Sequence, residues 1–328
     1  MTILVTGAAG FIGSNLCEDL LKRDNTVIGV DNFDNYYPRK FKQLNLSFIS
    51  SNTRFYFHET DIRDKKRIEE IFSTIEIDAV IHLAAKAGVR PSIENAGEYY
   101  DVNLNGSVCL LDAMKKYGVK KMLFASSSSV YGNSKIVPFS EKNSVDNPIS
   151  PYASTKKSGE LLCHVYHHLY GFDITCLRFF TVYGPRQRPD LAIHKFTELI
   201  FSDKPVPFYG DGSTARDYTF IDDIVKGIGL ALEHLNGFRI YNLGGTGVVD
   251  LKTMLSTIEK SLGKKAKLNI LPPQPGDVNI TYADISSANA EIGYSPVVSF
   301  QEGIRIFTDW YLRYRDYLYG NQSLSGSR

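Results

Sequence analysis

The chain has 328 residues, 43% of them hydrophobic and 22% charged, and a formal net charge of +1. That length is more than one compact core usually holds and predicts two domains, or one domain with a substantial lobe. The balanced charge speaks against nucleic acid or an anionic membrane surface as a partner, and no apolar run is long enough to span a bilayer.

In chain order, short apolar runs alternate with longer amphipathic ones. "ILVTG", "TVIGVDN", "FYFHETDI", "DAVIHLAA", "KKMLFASSSSVYG" and "ITCLRFFTVYG" read as strands. Between them, "FIGSNLCEDLLKR", "DKKRIEEIFSTI", the stretch 98–117 and the stretch 152–170 carry helical spacing. Such alternation predicts an α/β fold, a parallel sheet covered on both faces. After Thr181 proline and glycine become frequent, and helices over 189–202 and 250–262 are separated by loops. "FRIYNLGG" reads as one return to the main sheet. The expected division is 1–180 plus about 217–246 as one domain, 181–216 and 247–318 as a smaller lobe, and 319–328 as a tail. The chain opens directly on a strand, without a basic leader, and Cys17, Cys109, Cys163 and Cys176 lack disulfide or zinc spacing. A reduced, cytoplasmic protein is expected.

"ILVTGAAGFIGSNL" runs a strand into Gly7, Gly10 and Gly13 and then into a helix beginning at Phe11 and Ile12. Glycines let the backbone approach a pyrophosphate, and the helix start offers unpaired N–H groups. Asp31 ends the next strand, followed by Asn32; a carboxylate there binds both ribose hydroxyls of NAD and repels the extra phosphate of NADP. These features predict a Rossmann-type, doubly wound sheet with NAD as cofactor. Asp61 and Ile62 would reach the adenine edge. "HLAAKAG", from His82 to Gly88, gives small residues where backbone must come close to the cofactor, at Leu83, Ala84 and Ala85. His82 reads as a satisfied core histidine.

"SPYASTKKSG" places Tyr152 and Lys156 one helical turn apart, on one face. Ser150 suits an N-cap and Pro151 the first helical position. The helix's positive end, the ammonium and an oxidised nicotinamide would together favour the phenolate. Free tyrosine titrates near pH ~10, so a base working near neutrality needs about 4 kcal/mol of help. Upstream, "FASSSSVYG" puts Ser126, Ser127, Ser128 and Ser129 at a strand's carboxyl end, facing the ligand crevice of a parallel sheet.

The glycine turn, the serine cluster and the Tyr-x-x-x-Lys pair resemble the extended short-chain dehydrogenase/reductase family over nearly the whole chain. The resemblance implies Tyr152 as base, Lys156 as the cation that lowers its pKa and holds the nicotinamide ribose, and Ser127 as the hydroxyl touching the reacting oxygen. It also implies a cofactor role for Ser126 and for Asn103 in "DVNLNG". The family's nucleotide-sugar dehydratases carry Asp-Glu immediately before "VYG"; Ser128 and Ser129 stand there, which leaves epimerisation. "ARDYTF" and "QPGDV" resemble the segments that hold a nucleoside diphosphate, through Arg216 and Asp277, although Gln274 replaces an arginine common in galactose epimerases. "FTVYGPRQRPDLA" and "AAKAGVRPSIEN" resemble UDP-glucuronate 4-epimerases and bring Thr181, Arg186, Arg188, Lys86 and Arg90 to the substrate. A sugar carboxylate needs a cation when buried, and Arg188 offers a planar fork. The implied partner is a UDP-sugar, UDP-glucuronate or UDP-galacturonate. The alternatives are a UDP-glucose or UDP-N-acetylglucosamine 4-epimerase, or a UDP-glucuronate decarboxylase using another acid such as Glu94 or Glu141. By the same resemblance, 98–117 and 152–170 would pair with their copies in a homodimer, the second offering Leu161, Leu162, Val165, Tyr166 and Leu169.

Overall fold

The computed structural model describes residues 1–245, 247–272 and 280–320. Strands β1 (Thr2–Thr6), β2 (Thr26–Asp31), β3 (Phe55–Glu59), β4 (Ala79–His82), β5 (Lys121–Ser127) and β6 (Asp173–Phe179) alternate with helices α1 (Phe11–Lys22), α2 (Arg39–Ser47), α3 (Lys65–Thr74), α4 (Val89–Glu94), α5 (Ala96–Tyr100), α6 (Gly106–Tyr117) and α7 (Pro151–Tyr170). The remainder holds β7 (Thr181–Tyr183), α8 (Ala192–Phe201), β8 (Pro205–Tyr209), β9 (Ala215–Phe220), α9 (Ile221–Glu233), β10 (Phe238–Leu243), β11 (Val248–Asp250), α10 (Leu251–Leu262), β12 (Lys267–Leu271), β13 (Ile280–Thr281), α11 (Ser286–Ile292) and α12 (Phe300–Tyr319).

Among the described residues the main sheet has seven parallel strands, ordered β10-β6-β5-β4-β1-β2-β3. The strand order reverses between β1 and β4, where open α/β sheets leave a crevice. Side chains alternate faces along each strand, and both faces are apolar. Ile3, Val5, Ile81 and Leu123 pack with Leu16, Leu20, Ile224 and Ile228 of α1 and α9 on one face. Leu4, Val80, Met122 and Phe124 pack with Ile71, Leu110, Met114 and Cys163 of α3, α6 and α7 on the other.

Two sequence expectations change. Residues from 217 do not rejoin the main sheet at once: β9 pairs with β7, β11 and β13 in a small separate sheet, and the return is made by α9 and β10. The stretch 98–117 is not one regular helix either. A π-turn at Asp101–Asn105 joins α5 to α6, inserting an extra residue beside the cleft. The tail from 319 lies outside the described residues except for its first two positions.

Candidate active site

A cleft of about 680 Å³ opens at the carboxyl ends of β1, β2, β4, β5 and β6. The glycine turn forms its floor. Gly7 has φ +72, and a Cβ on Gly13 would sit 2.1 Å from the Gly7 carbonyl oxygen, so any side chain there would break the turn. No side chain caps the start of α1 and no acid lies in its first turn. Its N–H groups therefore face the cleft unclaimed by the chain's own carboxylates, as a pyrophosphate requires. Asp31 closes this end, accepting from Ala9 N at 3.2 Å, Phe33 N at 2.8 Å and Lys42 Nζ at 3.1 Å. Gly10, Phe11, Ile12, Asn32, Asp61, Ile62, Leu83, Ala84 and Ala85 all line the same cleft. Arg63 and Asn32 grip Asp61, and Arg63's hydrogen bond holds its carboxyl down at about 2. This set fits a dinucleotide.

The catalytic helix is built as its sequence demands. The Ser150 hydroxyl accepts from Ala153 N at 3.1 Å, Pro151 follows in the first turn, and Gly171 ends the helix in the left-handed region. Tyr152, Lys156, Ser126, Ser127, Ser128 and Ser129 reach the cleft together. The Ser127 oxygen accepts from Ser129 N at 3.2 Å and Ser129 Oγ at 3.0 Å, and Ser127 favours the ionised form of the Tyr152 phenol. Lys156 Nζ donates to the Ala125 carbonyl at 2.7 Å and lies 5.9 Å from the centre of the Tyr152 ring. Burial pulls this ammonium down to about 8. Burial also pushes the Tyr152 phenol above its ordinary value, against the opposing pull of Ser127 and Arg188. The chain alone thus favours the protonated phenol.

Thr181, Arg188, Arg216, Lys86 and Arg90 also line the cleft. Arg188 is held bidentately by Asp190, at 3.0 and 2.6 Å, and its guanidinium lies 5.0 Å over the Tyr36 ring. Lys86 Nζ meets Asp34 at 2.9 Å and Glu98 at 2.8 Å.

Two expected site residues stand elsewhere. Arg186 is buried behind the wall, paired with Glu18 and 4.1 Å over Phe48, and does not line the cleft. Its positive φ of 69 turns the chain so that Arg186 and Arg188 diverge. Asn103 is also buried and does not line the cleft. Its amide accepts from Lys86 N at 2.8 Å and donates to Lys86 O at 3.1 Å and to Thr155 Oγ1 at 2.9 Å, so it holds the loop after β4 instead. Asp277 and Gln274 lie outside the described residues. His82 is a core residue as expected, with Thr6 Oγ1 at 2.7 Å and Ser107 Oγ at 3.0 Å.

Asp34, Tyr36 and Lys42 line the cleft and were missed. The first two had a local signal in "DNFDNYY". Asp31, Asn32 and Asp34 each accept from the amide two residues on, an Asx ladder that shapes the loop. Lys42 had none, since only the packing of α2 brings it to Asp31.

A parallel sheet with a glycine turn and a Tyr-Lys-Ser set at the switch point defines a dinucleotide-dependent enzyme of the short-chain dehydrogenase/reductase type. Residues 4–307 match the family model described as GDP-mannose 4,6 dehydratase, and the chain belongs to that family. It is 45% identical over 308 residues to a UDP-glucuronate 4-epimerase of Thermodesulfobacterium geofontis, covering 94% of this chain and 95% of that protein. Its fold matches the crystal structure of a Bacillus cereus UDP-glucuronic acid 4-epimerase in complex with UDP-glucuronic acid and NAD, with TM-score 0.90, 41% identity, and coverage of 95% of this chain and 99% of that one. A Thermotoga maritima UDP-glucose 4-epimerase with UDP-glucose is more distant, at TM-score 0.88 and 33% identity, with coverage of 95% and 99%.

Proposed function

We propose that the protein is an NAD-dependent epimerase that interconverts UDP-glucuronate and UDP-galacturonate by inverting C4 of the sugar. The observation that carries this reading is the cleft wall at the end of β5. It consists of Ser127, Ser128 and Ser129, with Thr181 and Arg188 also lining the cleft, and β5 contributes no carboxylate to it. A dehydratase needs an acid there to expel water. Glu141 is engaged by the Asn242 amide at 2.7 Å, and neither it nor Glu94 lines the cleft. Relatives that this chain resembles over nearly its full length carry the epimerase name.

NAD, which the glycine turn, Asp31 and Lys156 would hold, would supply the acceptor for the C4 hydride and its donor on return to the other face of the sugar. Tyr152 takes the 4-hydroxyl proton as the hydride leaves and gives it back on return. Ser127 holds that oxygen, and Lys156 anchors the end of β5 and the ribose. The adenosine and pyrophosphate are held by Asp31, Asp61 and the α1 start. Arg188, Thr181 and Arg90 face the sugar carboxylate, and Arg216 the diphosphate. The 4-keto intermediate is a β-keto acid, so fixing its carboxylate near the ring plane also suppresses loss of carbon dioxide. The test is chromatography of the products from UDP-glucuronate and a small panel of UDP-sugars. An isomer of unchanged mass is expected; a UDP-pentose as the main product would overturn the reading.

A homodimer is part of the proposal. Leu161, Val165 and Leu169 of α7 are 46–59% exposed along one helix face, with Tyr100 and Tyr117 also exposed. Residence in the cytoplasm is also proposed. All four cysteines are free, and no described helix is long and apolar enough to cross a membrane. Size-exclusion chromatography with light scattering, and fractionation of the source cells, are the checks.

A further inference from the structure

Beneath the catalytic set lies a buried polar row that the proposed mechanism does not use. Ser126, Arg178 and Asn242 stand side by side at one level of three adjacent strands, β5, β6 and β10. Glu160 projects toward them from α7, four residues after Lys156 and eight after Tyr152, hence on the same helix face. Glu160 is 2% exposed, Arg178 1% and Asn242 0%. Glu160 Oε1 accepts from Ser126 Oγ at 2.6 Å and from Arg178 Nε at 2.8 Å, and Oε2 accepts from Arg178 Nη2 at 2.8 Å. Arg178 Nη1 donates to the Tyr131 hydroxyl at 2.9 Å, and that hydroxyl donates to Asn242 Oδ1 at 2.7 Å. Asn242 Nδ2 then donates to the carbonyls of Phe139 and Asp284, at 2.8 and 3.1 Å.

Two successive residues of β5 are therefore tied to two successive turns of α7: Ala125 to Lys156, and Ser126 to Glu160. The backbones meet closely between these ties, since a Cβ on Gly159 would come within 2.3 Å of the Phe124 ring. A buried ion pair of this kind contributes little to stability, because desolvation cancels most of the attraction. What it does give is a single geometry, because a fork–fork pair tolerates little displacement. The geometry points to Glu160 and Arg178 as positioning residues: the pair fixes the Ser126–Ser127 end of β5 against Tyr152, and so sets the distance between base, serine and sugar oxygen. This rests on the epimerase reading and adds to it two groups that touch neither substrate nor cofactor.

The test replaces both charges together, Glu160→Met with Arg178→Met, so that neither is left buried alone. The double variant is expected to keep its melting temperature within a few degrees and its NAD content. Its kcat should fall about 10- to 100-fold, as a displacement of about 1 Å would produce, with KM within twofold. Hydrogen exchange should quicken at the amides of residues 126–129 while α7 stays protected. Glu160→Gln with Arg178→Gln keeps a hydrogen-bonded pair without a lone buried charge and should show a smaller fall in kcat. Wild-type kcat in both folded variants overturns the inference. So does a double variant that cannot fold, which would make the pair a stability element. Failure of the epimerase reading is seen separately, as a wild-type enzyme that does not isomerise UDP-glucuronate.

Discussion

The two walls of the cleft are made in different ways. On one side, α7 carries Tyr152 and Lys156 at a fixed helical spacing, capped by Ser150 and tied to β5 through Ala125 and Ser126. On the other side, residues 184–190 follow β7 as a loop whose arginines are governed by what they pair with. Arg188 stays at the cleft because Asp190 and Tyr36 hold it; Arg186, two residues earlier, is drawn inward by Glu18 and Phe48. A helix face fixes geometry by backbone repeat, whereas a loop fixes it one ion pair at a time. In the proposed function, the first wall carries the chemistry of the reaction and the second the choice of sugar.

The largest expected effect tests the helix wall. Tyr152→Phe should lower kcat by about 10²–10⁴-fold, the usual worth of a general base, while the fold and retained NAD survive. Normal turnover would remove the division of labour altogether. Next comes the loop wall. Arg188→Ala deletes a charged hydrogen-bond donor and should raise KM for UDP-glucuronate about 10- to 100-fold, with some UDP-pentose among the products. An unchanged KM and a single product would show that the cation acts elsewhere, with Arg90 the next candidate. Ser150→Ala removes the cap of α7 and should cost about 1 kcal/mol in chemical denaturation. Its kcat should fall as well, whereas a cap of purely local importance would leave kcat unchanged.

The smallest effect concerns the scaffold shared by both walls. Burial between Thr6 and Ser107 holds His82 down at about 3, so it stays neutral in the folded chain down to that pH. In the unfolded chain it takes up a proton below about pH 6.5. Stability is therefore lost as pH falls from 6.5 toward 3, by about 1 kcal/mol over the first unit. His82→Gln should flatten that part of the denaturation-versus-pH curve relative to wild type. An unchanged slope would mean the imidazole is protonated in the fold.

Wherever contacts are local, the sequence is enough to read this protein. The glycine turn, Asp31 at the end of β2, the cap and first turn of α7, and the shared face of Tyr152 and Lys156 all depend on spacings within a few residues or one βα unit. The same holds for the alternation that splits Ile3 and Val5 from Leu4 between two cores. Tertiary structure alone decided which partner each polar group met. It buried Arg186, turned Asn103 onto the Lys86 backbone, brought Lys42 to Asp31, and kept β9 out of the main sheet. It also aligned Ser126, Arg178 and Asn242 across three strands that are more than fifty residues apart in sequence. Helix and strand periods are set by neighbouring backbone and repeat wherever the residues allow. Strand register and ion pairing are set by which surfaces come together after the chain has closed long loops, and no local spacing encodes that.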